Sequence, residues 1–240
     1  MKNYIEHYII DNELINYSNQ SSFFLNIDMY RFLLINKQLK SFTGKYILDI
    51  GSGYGKMINK EFENFFSLDI SQKNNISGSF KIEGDAYCIP FKEKAFSAIV
   101  MSEILEHLEE PLTAMREAHR ILKDDGRLIL TVPYKERIKM HLCIHCNCLT
   151  PENGHLHSFD EKKLNEILSE SGFQIKKIVK FENRILYLMH FFSIFRKIPI
   201  DFILFIDIII SKYYNKYNKI MLVAEKRASG SVGRAHPSQG

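Results

Sequence analysis

The 240-residue sequence predicts an α/β fold, a mostly parallel sheet with helices on both faces. Three observations predict it. From Tyr46 onward short apolar runs alternate with helical stretches, the pattern of buried strands joined by crossover helices. The composition, 45% hydrophobic and 25% charged, suits one large core in a chain too short for two comfortable domains. The first apolar run ends in Asp49-Ile50-Gly51-Ser52-Gly53-Tyr54-Gly55 immediately before a helical stretch, where a parallel sheet needs a tight turn.

Each element follows in order. Residues 1–44 read as a helical lead-in, with Phe23, Phe24, Ile27, Phe32, Leu33, Leu34 and Ile35 spaced as a helical face before the Ser41 to Gly44 break. Tyr46 to Ile50 reads as a strand, Lys56 to Asn64 as a helix, and Phe65 to Ile70 and Phe96 to Met101 as further strands. Pro111 to Leu122 is helical, Asp124-Asp125-Gly126 a turn, and Arg127 to Val132 a strongly apolar strand. Residues 134–158, rich in His and Cys and broken by Pro151 and Gly154, read as a loop-rich insertion. A helix from Phe159 to Ser171, capped by Ser158 or Asp160 and ended at Gly172, precedes a strand from Phe173 to Phe181. A second insertion, 183–217, is apolar, aromatic and basic; Ile220 to Glu225 is the last strand, and 227–240 a disordered tail. The main domain is therefore 45–226.

Charge excludes little and nominates no partner. Lys plus Arg number 32 and Asp plus Glu 28, a net charge of +4 without the basic blocks of a nucleic-acid arm, so no nucleic acid is expected as partner. The start, Met1 to His7, lacks the basic and apolar run of a secretory signal, and four cysteines form no disulfide framework; a cytoplasmic protein is expected.

Glycines at 51 and 53 let a backbone turn sharply and approach a ligand where a Cβ would obstruct both, which points to a nucleotide-like ligand. The loop fits neither a dinucleotide fingerprint, since Lys56 stands at the third glycine, nor a P-loop, where Met57 and Ile50 fill required places. Asp69 stands 18 residues beyond Gly51 at the end of the second apolar run, where a carboxylate can accept both hydroxyls of a ribose.

Further on come Gly84-Asp85-Ala86 with Pro90-Phe91, then Phe96 to Leu108 containing Ser102-Glu103-Ile104-Leu105-Glu106-His107, then Arg120 to Pro133. In this order, over roughly residues 46 to 133, the segments resemble the class I S-adenosylmethionine-dependent methyltransferases, particularly their type 11 small-molecule branch. The resemblance implies a Rossmann-like sheet of seven strands whose last strand is antiparallel. It also implies that the loop of Asp49, Gly51, Ser52, Gly53 and Gly55 wraps the methionine part of the cofactor. Asp69, with Ile70 beside it, would hold the ribose, Asp85 the adenine amino group, Ala86 the ring, and Ser102 the methionine end near the methyl group. Asp124-Asp125-Gly126 departs from the Lys-Pro-Gly-Gly common there and is a turn in either case.

The implied activity is methyl transfer to a small molecule: a sugar, a lipid or quinone-type compound, or another metabolite. The absence of an Asn-Pro-Pro-Tyr or Asp-Pro-Pro-Tyr segment after the fourth strand favours an oxygen or carbon acceptor. Alternatives are a cofactor-binding scaffold without turnover and an RNA or protein methyltransferase. Glu106-His107 invites an acid/base role against the simpler reading of a packed histidine; His107, His155 and His157 are the acid/base candidates.

Cys143 and Cys146 have the C-x-x-C spacing that turns two thiolates onto one ion, and His155 with His157 would complete a structural Cys₂His₂ zinc site. The alternative is reduced cysteines in a lid with both histidines bordering the pocket. In 183–217, Arg196, Lys197, Asp201 and Asp207 interrupt the apolar run and Pro199 splits it, which argues against a membrane span. Either a helical cap over the pocket or an interfacial surface making peripheral membrane contact is expected there.

Overall fold

A computed structural model describes residues 22–53, 62–70, 79–142, 147–184, 200–214 and 216–227. The elements in chain order are α1 (Ser22–Leu39), β1 (Ile47–Ile50), β2 (Phe65–Asp69), β3 (Phe80–Glu83), β4 (Phe96–Ser102), α2 (Pro111–Ile121) and β5 (Leu122–Pro133). There follow β6 (Met140–Leu142), β7 (Leu149–Pro151), α3 (Glu161–Glu170), β8 (Phe173–Asn183), α4 (Ile200–Tyr213) and β9 (Tyr217–Lys226). The main sheet has seven strands in the order β3-β2-β1-β4-β5-β9-β8, and β6 with β7 forms a separate hairpin.

Strands β1 to β5 pair in parallel, while β9 runs antiparallel to both β5 and β8, as the family resemblance implies. All four residues of β1 are buried, because a central parallel strand is covered on both faces. Leu48 and Ile50 pack with Ile99, Met101, Leu128 and Leu130 beneath α2 and α3. Ile47 faces the other way, with Ala98, Val100, Ile129 and Met221, against Leu34 and Ile35 of α1. This alternation along each strand makes two cores from one sheet.

The helices show why they form where they do. Pro111 opens α2 at a position with no amide to lose, and Ala114, Met115, Ala118 and Ile121 make its buried face. The Asp160 carboxylate accepts from the Lys163 amide at 2.9 Å and caps α3, whose Leu164 and Leu168 are buried. Gly172 ends that helix at φ +88, where a Cβ would stand 2.9 Å from His119 Nε2.

Several boundaries differ from expectation. The edge strand β3 shows no apolar run, since it pairs on one side only and Phe80 is 56% exposed. β5 begins at Leu122 opposite Phe96, and Asp124-Asp125-Gly126 is looped out before pairing resumes with Arg127 opposite Ala98. The 134–158 insertion contains the β6/β7 hairpin. Of the Lys56 to Asn64 helix, residues 56–61 lie outside the described residues, and Phe62 to Asn64 is not helical. The tail from residue 228 also lies outside them.

The second insertion leaves and rejoins the sheet at one place: the Asn183 side-chain amide donates to the Tyr214 carbonyl at 2.7 Å and the Arg184 amide to that of Lys216 at 2.9 Å. Ile206 and Ile210 of α4 pack on the α1 side of the sheet. Among the described residues, no helix is long and apolar enough to cross a membrane.

Candidate active site

The strand order reverses between β1 and β4, the topological switch point at which open α/β sheets bind ligands beyond the carboxyl ends of their strands. A cavity of about 180 Å³ lies there. Its walls are Gly51 and Gly53 after β1, Leu68, Asp69 and Ile70 at the end of β2, Gly84 to Tyr87 after β3, and Glu103, Ile104 and His107 to Glu109 after β4.

The loop after β1 is tied to β2. The Gly51 and Ser52 amides donate to the Leu68 carbonyl at 2.8 and 3.2 Å, and the Gly53 amide donates to Asp69 Oδ2 at 2.7 Å. Gly51 has φ +72, and a Cβ there would stand 2.3 Å from Ile104 Cδ1. This glycine thus lets the β1 turn and the segment after β4 meet, in addition to opening space for a ligand. Beneath the loop, Asp49 is buried and does not line the cavity; burial first, and the neighbouring Asp69 carboxylate second, push its pKa up to about 8 against the pull of Arg31. Gly55 lies outside the described residues.

Asp85 and Ala86 sit on the opposite wall. Asp85 Oδ1 accepts from the Tyr87 amide at 2.9 Å, a local turn that fixes the carboxylate at the cavity edge. Ile70 and Leu108 supply apolar surface between the two ends.

Ser102 ends β4 beside the cavity wall formed by the next two residues. Its hydroxyl shares a 3.0 Å hydrogen bond with Thr131 on β5, and it is not among the cavity-lining residues. The chain turns at Glu103, which has φ +56, so Glu103 and Ile104 form the wall in its place. Glu103 accepts from the Thr131 hydroxyl at 3.1 Å, is bonded by the Lys219 ammonium, and has Arg31 Nη1 at 3.6 Å. Burial works against its charge, but Lys219 and Arg31 outweigh it and hold the carboxyl below its ordinary range; Lys219 is raised in return by Glu103, also against burial.

Glu106 is fully buried, and burial together with Glu103 raises its pKa well above the ordinary value. Of the acid/base candidates, His107 lines the cavity; burial and then the neighbouring His155 lower its pKa to about 4, so the ring is neutral. His155 meets the His107 ring edge-on with centroids 4.8 Å apart, and His157 Nε2 pairs with the Leu108 carbonyl at 2.8 Å. Backbone amides of Leu156 and His157 donate to the Glu106 carbonyl at 2.7 and 3.3 Å, strapping this segment to the turn after β4.

The Cys₂His₂ zinc arrangement gains no support. Cys143 and Cys146 lie outside the described residues, while His155 and His157 serve different partners. Sequence reasoning missed Glu103, Ile104 and Leu108 as lining residues. Their only signal was position, immediately after a buried strand that ends at the switch point.

Residues 28–178 match the family described as a methyltransferase domain. An uncharacterised protein of Methanocaldococcus jannaschii is 35% identical over 114 residues, covering 43% of this chain and 49% of that protein. The chain thus spans about half the length of that curated relative. The ubiquinone/menaquinone biosynthesis C-methyltransferase of Wigglesworthia glossinidia brevipalpis is 27% identical over 165 residues, covering 53% of this chain and 66% of the other. The crystal structure of Burkholderia thailandensis 1,6-didemethyltoxoflavin-N1-methyltransferase, with 1,6-didemethyltoxoflavin and S-adenosylhomocysteine bound, superposes with a TM-score of 0.56 at 13% identity, covering 93% of this chain and 85% of that one, a likeness of fold. With the family model matched over more than half of the chain and the seven-stranded order described above, the chain belongs to the methyltransferase-domain family.

Proposed function

We propose that this chain transfers a methyl group from S-adenosylmethionine to a small-molecule acceptor at the cavity beyond β1, β2 and β4. The observation that carries the reading is the convergence on one cavity of the Gly51-Gly53 turn, Asp69, and Asp85-Ala86. The donor set fits the cofactor. Asp69 offers a carboxylate to two hydroxyls, Ala86 and Ile70 offer apolar surface to a base, and Asp49 Oδ1 is buried beneath the loop without a hydrogen-bond partner among the described residues. When bound, the cofactor supplies an electrophilic methyl group on a sulfonium.

The protein's own share is then to bind, orient and exclude water. The glycine turn would hold the amino-acid end, Asp69 the ribose, and Asp85 with Ala86 the adenine. His107 and Leu108 line the same cavity and would help to exclude water and orient the acceptor, a positioning effect that needs no strong base. A lipid- or quinone-type acceptor is favoured by the relatives named for such substrates. It also suits the apolar face of α4, where Phe202, Phe205, Ile209 and Tyr213 are exposed and open to peripheral membrane contact. The test is S-adenosylhomocysteine release with sugars, demethylated quinones and lipid extracts as acceptors, followed by mass spectrometry for a product heavier by about 14 Da, one CH₂ per transfer. Cofactor binding without release on any acceptor would favour a scaffold.

A further inference from the structure

Beside the cavity, Glu106, His107 and His155 bring one ligand-capable atom each to within 4.8 Å of one another. Glu106 is 0% exposed, and neither of its carboxylate oxygens has a hydrogen-bond partner from any other described residue. A buried carboxylate left in this way is costly unless something polar or cationic occupies the space beside it. The two imidazoles are already oriented. His107 Nδ1 pairs with the Gly154 carbonyl at 3.2 Å, and His155 Nδ1 pairs with Glu136 Oε2 at 2.5 Å. Metal-ligating histidines show this arrangement, in which the nitrogen away from the ion is held by a carbonyl or carboxylate that fixes the tautomer and raises ligand basicity.

We propose that Glu106, His107 and His155 bind a divalent first-row transition-metal ion, with Glu136 and the Gly154 carbonyl as the outer groups that orient the two rings. Two imidazoles and one carboxylate match Mn²⁺, Co²⁺ or Zn²⁺ better than Mg²⁺ or Ca²⁺, which prefer oxygen throughout. An ion about 2.1 Å from each ligand needs ligand atoms roughly 3 to 3.5 Å apart, so the side chains close in by about 1.5 Å from their present spacing. Three protein ligands leave coordination positions open. Because His107 also lines the cavity, the ion lies at the cavity wall, where an oxygen of a bound small molecule can complete its shell. The three ligands include no cysteine, and the site's occupancy does not depend on the methyl-transfer reading.

The experiment uses the full chain freed of metal by chelator and titrated with Co²⁺, followed by visible absorption and by displacement with Zn²⁺. One equivalent should bind with d–d bands and without a thiolate charge-transfer band. Glu106→Gln, close in shape, and His155→Ala should each weaken binding at least tenfold, whereas His157→Ala and the combined Cys143→Ser, Cys146→Ser, Cys148→Ser variant should leave it unchanged. Should Glu106→Gln fail to fold, paramagnetic broadening of the His107 and His155 imidazole resonances in the wild-type protein by sub-stoichiometric Mn²⁺ supplies the same test. The proposal is overturned by Co²⁺ binding weaker than millimolar, by loss of the ion with the cysteines, or by broadening that spares the His107 and His155 rings. Normal S-adenosylhomocysteine binding in a protein that takes no ion would refute this site while leaving the proposed function standing.

Discussion

Gly51 and Ile104 compete for one space: a Cβ at residue 51 would lie 2.3 Å from Ile104 Cδ1 and 2.9 Å from its Cβ. The turn after β1 and the segment after β4 are therefore complementary in shape before any ligand is considered. Gly51→Ala should destabilise the fold by about 1–3 kcal/mol through this overlap and the positive φ. Ile104→Ala should relieve the overlap but not the backbone strain. A double-mutant cycle by urea denaturation should show a coupling of about 1 kcal/mol or more; additive losses would mean that the two residues do not share the space.

Asp49 makes stability depend on pH in a direction opposite to that of a salt-bridged carboxylate. The folded chain keeps its proton up to about pH 8, whereas an ordinary aspartate releases it near 3.8. Between those values the native state binds more protons than the unfolded one, so this group lowers stability as pH rises, at up to about 1.4 kcal/mol per pH unit, and its effect levels off above pH 8. Asp49→Asn should remove that slope. Denaturation midpoints at pH 5, 7 and 9 should show the variant gaining on the wild type as pH rises; a gap that shrinks would contradict the assignment.

Of the segment expected as a cap, residues 185–199 lie outside the described residues and α4 packs on the sheet. None of its described residues lines the cavity, and its Ile206 and Ile210 join the core under α1. Ile210→Ala should cost roughly 1–3 kcal/mol, the lower range for a partly buried truncation, whereas Phe205→Ala, at an exposed position, should stay within about 0.5 kcal/mol. Thermal or chemical denaturation checks both. Equal losses would place α4 differently on the sheet.

What could be read from the sequence divides along a physical line. β1, β4 and β9 announce themselves because central strands buried on both faces need continuous apolar runs, and the Gly51 turn, Asp69 and Asp85 are fixed by short-range chain geometry. β3 was illegible because an edge strand with Phe80 exposed has little apolar demand. That Glu103 and Ile104 line the cavity was not legible because the backbone reverses at a left-handed glutamate that no local pattern announces. The Glu106, His107 and His155 group was invisible for another reason. His155 reaches His107 through the bonds that strap Leu156 and His157 onto Glu106 and Gly154 onto His107, a pairing between distant segments.

If the end of β2 holds the cofactor through Asp69, calorimetric titration with S-adenosylhomocysteine will read the loss of that carboxylate. Asp69 also accepts from the Gly53 amide, so its removal loosens the loop and deletes a charged acceptor at once. The wild-type chain should bind at one site, and Asp69→Ala should lose roughly 1.5 to 3 kcal/mol, about 10- to 150-fold in affinity, with Asp69→Asn between the two. Wild-type affinity in Asp69→Ala, or no binding by the wild-type chain, would contradict it.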